Sequence, residues 1–318
     1  MKKKKTIISI VGETATGKTE AAFQLAESLI EKKACAGVDI ISADSRQVYA
    51  DIPILSGADV PDGFVKKNLP GYLPFLEKGL VRLHGVGILA ASEEWSLGQF
   101  QEFALKLIDR SEIKNRSVII VGGTGLYHTQ LFQTEDRLRV PPNTELREKA
   151  EELSVEELQV WLSQVDPARF ERMNESDRAN PRRLVRAIEQ GFAKDSEKPD
   201  AAKIKSYNHK IIGIRRESSQ LQQNIGDRVR RRFENGAIEE VEKLRKEPSL
   251  ASGIETTLGF ENIGNFLDGE ITADECVRSW TVNELQYAKR QRTWWRPIDK
   301  VEWADDVKAL NMYTEPIC

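Results

Sequence analysis

Cysteine and histidine are both scarce. Cys35, Cys276 and Cys318 lie far apart, none in a CxxC pair, and the 318 residues hold only 3 histidines. Such a set offers neither a disulfide framework nor the clustered ligands of a zinc site, so a reduced, cytoplasmic protein is expected. Long apolar runs are also missing. None approaches the roughly 20 residues that a helix needs to span a bilayer, and no membrane partner is expected. The opening MKKKK has the charge of a signal peptide's first segment. The apolar TIISIV behind it is short, however, and runs directly into a glycine loop with no small-residue cleavage site, so the lysines read as a solvated tail. Repeats and low-complexity tracts are absent. So is any overall excess of positive charge, since the net charge is −3.

What is present has a soluble, globular composition, 40% apolar and 31% charged, on a chain long enough to bury a sizeable core. The near-neutral total hides a segregation. Basic residues gather in RANPRRLVR (178–186), RVRRR (228–232) and AKRQRTWWR (288–296), whereas REKAEELSVEEL (147–158) is largely acidic. Binding to a polyanion depends on such local faces rather than on the sum. Short β-branched runs, TIISIV, VDIISADS, SVIIVGGTG and later HKIIGIRRE, alternate with helical stretches such as residues 97–114. That alternation predicts an α/β fold, a parallel sheet flanked by helices. From 129 to 204 charged helical segments dominate and no buried strand is visible. The expected organisation is a core of residues 1–128 and 205–318, interrupted by a helical insertion at 129–204.

The stretch GETATGKT, Gly12, Glu13, Thr14, Ala15, Thr16, Gly17, Lys18 and Thr19, follows a strand and opens a helix. That is the context of a phosphate-cradling P-loop, a nucleotide-binding device. Glycines let backbone N–H groups converge on phosphate oxygens, Lys18 reaches the terminal phosphate, and the Thr19 hydroxyl suits Mg²⁺. After the next strand comes ISADSRQVY, which places Asp44 and Ser45 beside the loop. Asp44 reads either as a helix cap or water-mediated metal ligand, or as a proton acceptor. The third strand ends in VGGTGLYH, where a motor ATPase would often carry an acidic metal ligand; here Thr124 reads as a helix cap. Residues 224–244 read as one helix with Arg228, Arg231 and Arg232 on a shared face. In the last basic stretch two tryptophans adjoin Lys289, Arg292 and Arg296. Solvated or packed helix faces would explain both stretches; so would RNA, whose splayed bases stack on aromatics.

Taken in order, GETATGKT, DSRQVY, EEWSLGQF, VGGTGLY, NPRRLVRAIE, IGDRVRRRFENGAIEEV, LGFENIGNFLDGEI and YAKRQRTWWR resemble the tRNA dimethylallyltransferase family over nearly the whole chain. The resemblance implies a P-loop NTPase-like core with an inserted tRNA-contacting helical domain. It also implies a reaction in which a dimethylallyl group moves from dimethylallyl diphosphate to the exocyclic amine of adenosine 37 in tRNA. The loop at 12–19 would then grip a leaving group, with Mg²⁺ as cofactor at Thr19 and, through water, Asp44. By the same resemblance Asp44 is the general base, and Lys18, Thr19 and Arg228 hold the diphosphate. Ser45, Arg46, Gln47 and Thr124 would meet the flipped acceptor. Further tRNA contacts would fall on Arg147, Arg182, Arg183, Arg186, Lys289, Arg290, Gln291, Arg292, Thr293, Trp294 and Arg296. Two stretches depart from the family. Where many relatives carry basic residues, this chain has Thr256 and Glu261, and ADIPILSGADVP replaces a GMDIGTAKP-like segment. A monomer is expected. The alternatives are an adenylate isopentenyltransferase acting on free nucleotides, a P-loop small-molecule kinase, and an RNA-binding protein with a vestigial loop.

Overall fold

The computed structural model of the chain describes residues 6–132, 140, 142–193 and 207–305; the lysine tail lies outside them. The chain divides into two compact units, residues 1–132 with 206–318, and residues 133–205. The first division falls later than position 128 because a short helix, Gly125–Gln130, and Leu131 and Phe132 behind it pack into the core of the first unit.

That unit is built on a sheet of 8 strands: β1 (Thr6–Gly12), β2 (Val38–Ser42), β3 (Val65–Lys67), β4 (Phe75–Lys78), β5 (Val81–His84), β6 (Ser117–Val121), β7 (Asn208–Ile214) and β8 (Val301–Ala304). Their order is β3-β4-β5-β2-β6-β1-β7-β8. From β5 to β8 all neighbours are parallel, the expected P-loop arrangement. An antiparallel β3-β4-β5 meander extends one edge. β2 and β6 are buried along their whole length, as strands covered on both faces must be. The strand period of two divides β1 between the faces. Ile8 and Ile10 pack with Ala22, Leu25 and Leu29 of helix α1 (Lys18–Glu31), while Ile7 packs with Phe100, Ala104 and Ile108 of helix α2 (Leu97–Ile113). A reciprocal capping box between Ser96 and Gln99 starts α2. Gly125–Gln130 is α3.

In the second unit the described residues form α4 (Thr144–Glu151), α5 (Val155–Val165), α6 (Pro167–Arg172), α7 (Glu175–Arg178) and α8 (Pro181–Phe192). Leu158, Leu162, Leu184 and Ile188 make its core. Beside them the buried Glu189 carboxylate takes hydrogen bonds from the Asn143 amide and from Arg147 and Arg186.

After β7 the first unit continues as α9 (Ser218–Arg232), α10 (Ile238–Leu244), α11 (Ser252–Glu255), α12 (Phe260–Leu267) and α13 (Ala273–Trp295). The single helix expected over 224–244 is therefore broken. Residues 233–237 form a wide turn in which Asn235 and Gly236 leave helical geometry. Gly236 has φ +118°, and a Cβ there would lie 2.7 Å from the Ile54 side chain. The break lets α9 and α10 close over Val48, Tyr49, Ile52 and Leu55, the segment that follows β2. Among the described residues no helix is long and apolar enough to cross a membrane.

Candidate active site

Parallel pairing brings the carboxyl ends of β1, β2 and β6 to one rim, where open α/β sheets bind ligands. The Ala43 amide donates to Val121 O at 2.7 Å and the Thr124 amide to Ala43 O at 3.3 Å, locking the turns after β2 and β6 together. A cavity of about 910 Å³ opens at this rim. Its wall includes Thr14, Ala15, Gly17, Lys18 and Thr19 of the loop, Asp44, Ser45, Arg46 and Gln47 after β2, Gly122 and Gly123 after β6, and Arg228, Arg231 and Arg232 of α9. Sequence-distant candidates thus meet in one place.

The loop at 12–19 folds with Gly12, Ala15 and Gly17 at positive φ. Gly12 is there because β7 passes so close that a Cβ would sit 2.2 Å from Ile214 O. The Lys18 ammonium donates to Glu13 O, and Thr16 Oγ1 donates to the same carbonyl at 2.9 Å. Burial, with the adjacent Arg228 charge adding to it, lowers Lys18 to about 7, against the opposing pull of Asp44 and Glu13. Arg228 crosses from α9 and donates to Thr14 Oγ1 at 3.0 Å and Gly57 O at 2.9 Å, and its Nη2 lies 2.8 Å from the Asp59 carboxylate. Arg232, one turn on, pairs with Glu284 at 2.9 Å where both are buried; burial lowers its guanidinium to about 10.

Asp44 Oδ1 accepts the Arg46 and Gln47 amides at 2.8 and 3.3 Å, closing a turn rather than capping a helix. Among the described residues Oδ2 accepts no hydrogen bond, so the carboxylate reaches the cavity wall with one oxygen uncommitted. Arg46 donates to Thr256 Oγ1 at 2.9 Å, which accounts for one of the two departures in the TTLGFEN segment; Glu261 is exposed. The other departure is ordered by contacts that the sequence does not announce. Glu240 accepts both the Ile54 and the Leu55 amide at 2.8 Å, and Gly57 O receives Gln47 at 3.0 Å as well as Arg228. Burial raises the Glu240 carboxyl.

The basic stretch of α13 splits by role. Gln291 is buried, accepting the Thr14 amide at 2.7 Å and donating to Gly123 O at 2.9 Å. Arg292 pairs with Glu13 at 2.9 Å. Lys289, Arg290, Thr293, Trp294 and Arg296 are exposed, while Trp295 is fully buried against Val11 and Val301. Thr124 precedes α3 without a side-chain capping bond, sharing a hydrogen bond with Tyr287 instead. Tyr287 lines the cavity unforeseen; burial first, then the nearby Asp44 charge, pushes its hydroxyl up, so it stays neutral. Arg147, Arg182, Arg183 and Arg186 belong to the second unit. There Arg147 and Arg186 grip Glu189, Arg183 pairs with Asp177, and Arg182 is exposed.

Comparison with known proteins decides the family. The profile of the IPP transferase family matches residues 75–297. The chain belongs to that family. It is similar to IPP transferase relatives named tRNA dimethylallyltransferase from Trichormus variabilis, 32% identical with 98% of each chain covered, and from Crocosphaera subtropica, 32% identical with 94% of this chain and 91% of that one covered. Among solved structures it resembles the tRNA isopentenylpyrophosphate transferase of Bacillus halodurans, at 29% identity and TM-score 0.64, covering 98% of this chain and 94% of that one. That likeness in fold covers nearly the whole chain.

Proposed function

We propose that this protein is a cytoplasmic tRNA dimethylallyltransferase. It moves the dimethylallyl group of dimethylallyl diphosphate to the N6 amine of adenosine 37, next to the anticodon, and releases diphosphate. The observation that carries the reading is the convergence of Lys18, Thr19, Arg228 and the Asp44 carboxylate on one cavity. A nucleotide kinase accounts for the first three. The carboxylate with a free oxygen beside them suits an acceptor that must lose a proton.

As the bond between the allylic carbon and the diphosphate oxygen breaks, negative charge collects on that oxygen. Lys18, Arg228 and the loop amides stabilise it, the largest type of contribution that fixed dipoles and charges make to catalysis. The adenine N6 lone pair, delocalised into its ring, attacks the same carbon, and Asp44 takes the N6 proton as the C–N bond forms. Thr19 and Asp44 are hard oxygen donors on one wall, a set that fits Mg²⁺, which takes a carboxylate or two together with substrate phosphates and water. When bound, the ion would neutralise diphosphate charge. The acceptor base leaves its stack to reach such a cavity, where Ser45, Arg46, Gln47 and Thr124 would meet it. Lys289, Arg290, Thr293, Trp294 and Arg296 on α13, and Arg182 and Arg183 with Arg147 and Arg186 on the second unit, would follow the tRNA backbone. Arg292 keeps half its side chain exposed and serves both Glu13 and the polyanion.

The test is transfer of labelled dimethylallyl to an anticodon stem-loop, with free AMP as the competing acceptor. The reading expects the stem-loop alone to be labelled. Labelling of AMP alone, or ATP turnover without the prenyl donor, would replace it with one of the alternative activities.

A further inference from the structure

We propose that Gln291 is a positioning residue that sets the conformation of the diphosphate loop and ties it to the acceptor turn, rather than a contact to tRNA. The proposal rests on the function just argued. Three observations carry it.

First, both ends of the Gln291 amide are engaged by backbone groups. It is 5% exposed, its Oε1 accepts the Thr14 amide at 2.7 Å, and its Nε2 donates to Gly123 O at 2.9 Å. Gln291 lines the cavity, yet the bond at each end goes to the protein's own backbone. Second, the backbone next to the amide it holds is strained. Ala15, the residue after Thr14, sits at φ +59°, the left-handed region that a residue with a Cβ avoids, and Gly17 follows at φ +91°. Such a backbone persists only where its surroundings over-determine it. Here the surroundings are side chains reaching in from distant parts of the chain: Gln291 on Thr14, Asn224 on Ala15 O at 3.3 Å, Arg216 on Thr16 O at 3.3 Å and Arg292 on Glu13. Third, the far end of the strut is built for it. A Cβ at Gly123 would lie 2.2 Å from Gln291 Nε2, so glycine is what lets the carbonyl approach. One side chain thereby joins the loop that grips the leaving group to the turn leading to Thr124. A slip at either end misaligns donor and acceptor, and displacements of that kind cost rate steeply.

Gln291→Met keeps the size and removes both hydrogen bonds, leaving a buried amide and a buried carbonyl unpaired. On the usual cost of one such unsatisfied group, affinity for dimethylallyl diphosphate and kcat/KM fall by about 5- to 150-fold. Affinity for the anticodon stem-loop without donor, read by fluorescence anisotropy, stays within twofold. Gln291→Glu retains an acceptor for the Thr14 amide but loses the donor to Gly123; it tests the same split should the Met variant not fold. Weaker stem-loop binding with unchanged donor affinity would overturn the proposal in favour of a direct tRNA contact. Unchanged affinities and rates in a folded variant would overturn it too. Failure of the wild-type protein to bind the donor at all would instead sink the proposed function.

Discussion

Lys18 gives the site a pH dependence that can be worked out. Burial and the Arg228 charge bring its ammonium down to about 7, whereas an unperturbed lysine titrates near 10.4. The charged form is the one that holds an anion, and bound diphosphate raises the group again by adding opposite charge. Donor binding therefore takes up a proton when the pH exceeds 7. At pH 7 about half of the sites carry the charge and at pH 9 about 1%, so affinity for dimethylallyl diphosphate drops about fiftyfold across that interval. The donor does not change charge there, because a phosphate's last proton leaves near pH 6. Calorimetry of donor binding at pH 7, 8 and 9, in two buffers of different protonation enthalpy, reads both the drop and a proton uptake approaching one. Lys18→Arg, whose guanidinium stays charged throughout, flattens the profile even if it binds more weakly. Arg228→Met moves the break to higher pH, since it removes the second cause of the shift. Equal wild-type affinities at pH 7 and 9, with no proton uptake, would refute the reasoning.

Other consequences are as specific. Asp59 pairs with Arg228 at 2.8 Å while 68% exposed; an ion pair of that kind holds at most about 1 kcal/mol. Asp59→Asn therefore lowers the KM for the donor by up to about fivefold with little change in kcat, and a raised KM would show that the carboxylate assists binding instead. At the opposite end of the sheet, buried Asp39 receives Ser111 at 2.6 Å, Arg116 at 2.9 Å and His84 at 3.2 Å. Burial alone would raise its carboxyl, but the His84 hydrogen bond and the Arg116 charge outweigh it and bring the group to about 2. A lowered carboxyl stabilises the fold above its unfolded value and loses that contribution as pH falls through the folded one. Roughly 2 kcal/mol should vanish between about pH 4 and pH 2. Asp39→Ala leaves Arg116 buried and unpaired and costs about 3–5 kcal/mol in denaturant unfolding at pH 7; a loss under 1 kcal/mol would contradict the pairing.

Much of this was legible in the sequence, and the remainder was hidden for definable reasons. The runs that became β1, β2 and β6 are central and almost wholly buried, and the second half of β7 is buried too, so short β-branched apolar runs mark all four. β3 reads VKK and is exposed throughout, and β8 is 4 residues long, so neither carries a pattern. The break at 233–237 interrupts a run whose periodicity continues across it; Asn235 and Gly236 leave helical geometry there, at a place where a Cβ on Gly236 would lie 2.7 Å from the Ile54 side chain. The phosphate loop was visible because its chemistry depends on local spacing, whereas the roles of Asp44 and Arg228 came from the family resemblance. The partners of the basic residues were not visible. Glu13 lies 279 positions from Arg292 and Glu189 42 from Arg147, so charge clusters that looked alike proved to be partly anchored and partly free surface. Gln291 carries no charge and no motif role that spacing reveals; only the fold shows that both of its ends are taken.

The central claim is that one carboxylate on the rim takes the acceptor's proton while the loop holds the departing diphosphate. Single-turnover transfer to an anticodon stem-loop by wild-type protein and by Asp44→Ala, with donor affinity measured alongside, tests it most directly. The account predicts a rate lower by about 10²–10⁴-fold, a loss that exceeds any fall in donor affinity caused by removing Asp44's pull on Lys18. Transfer by the variant at close to the wild-type rate would contradict it.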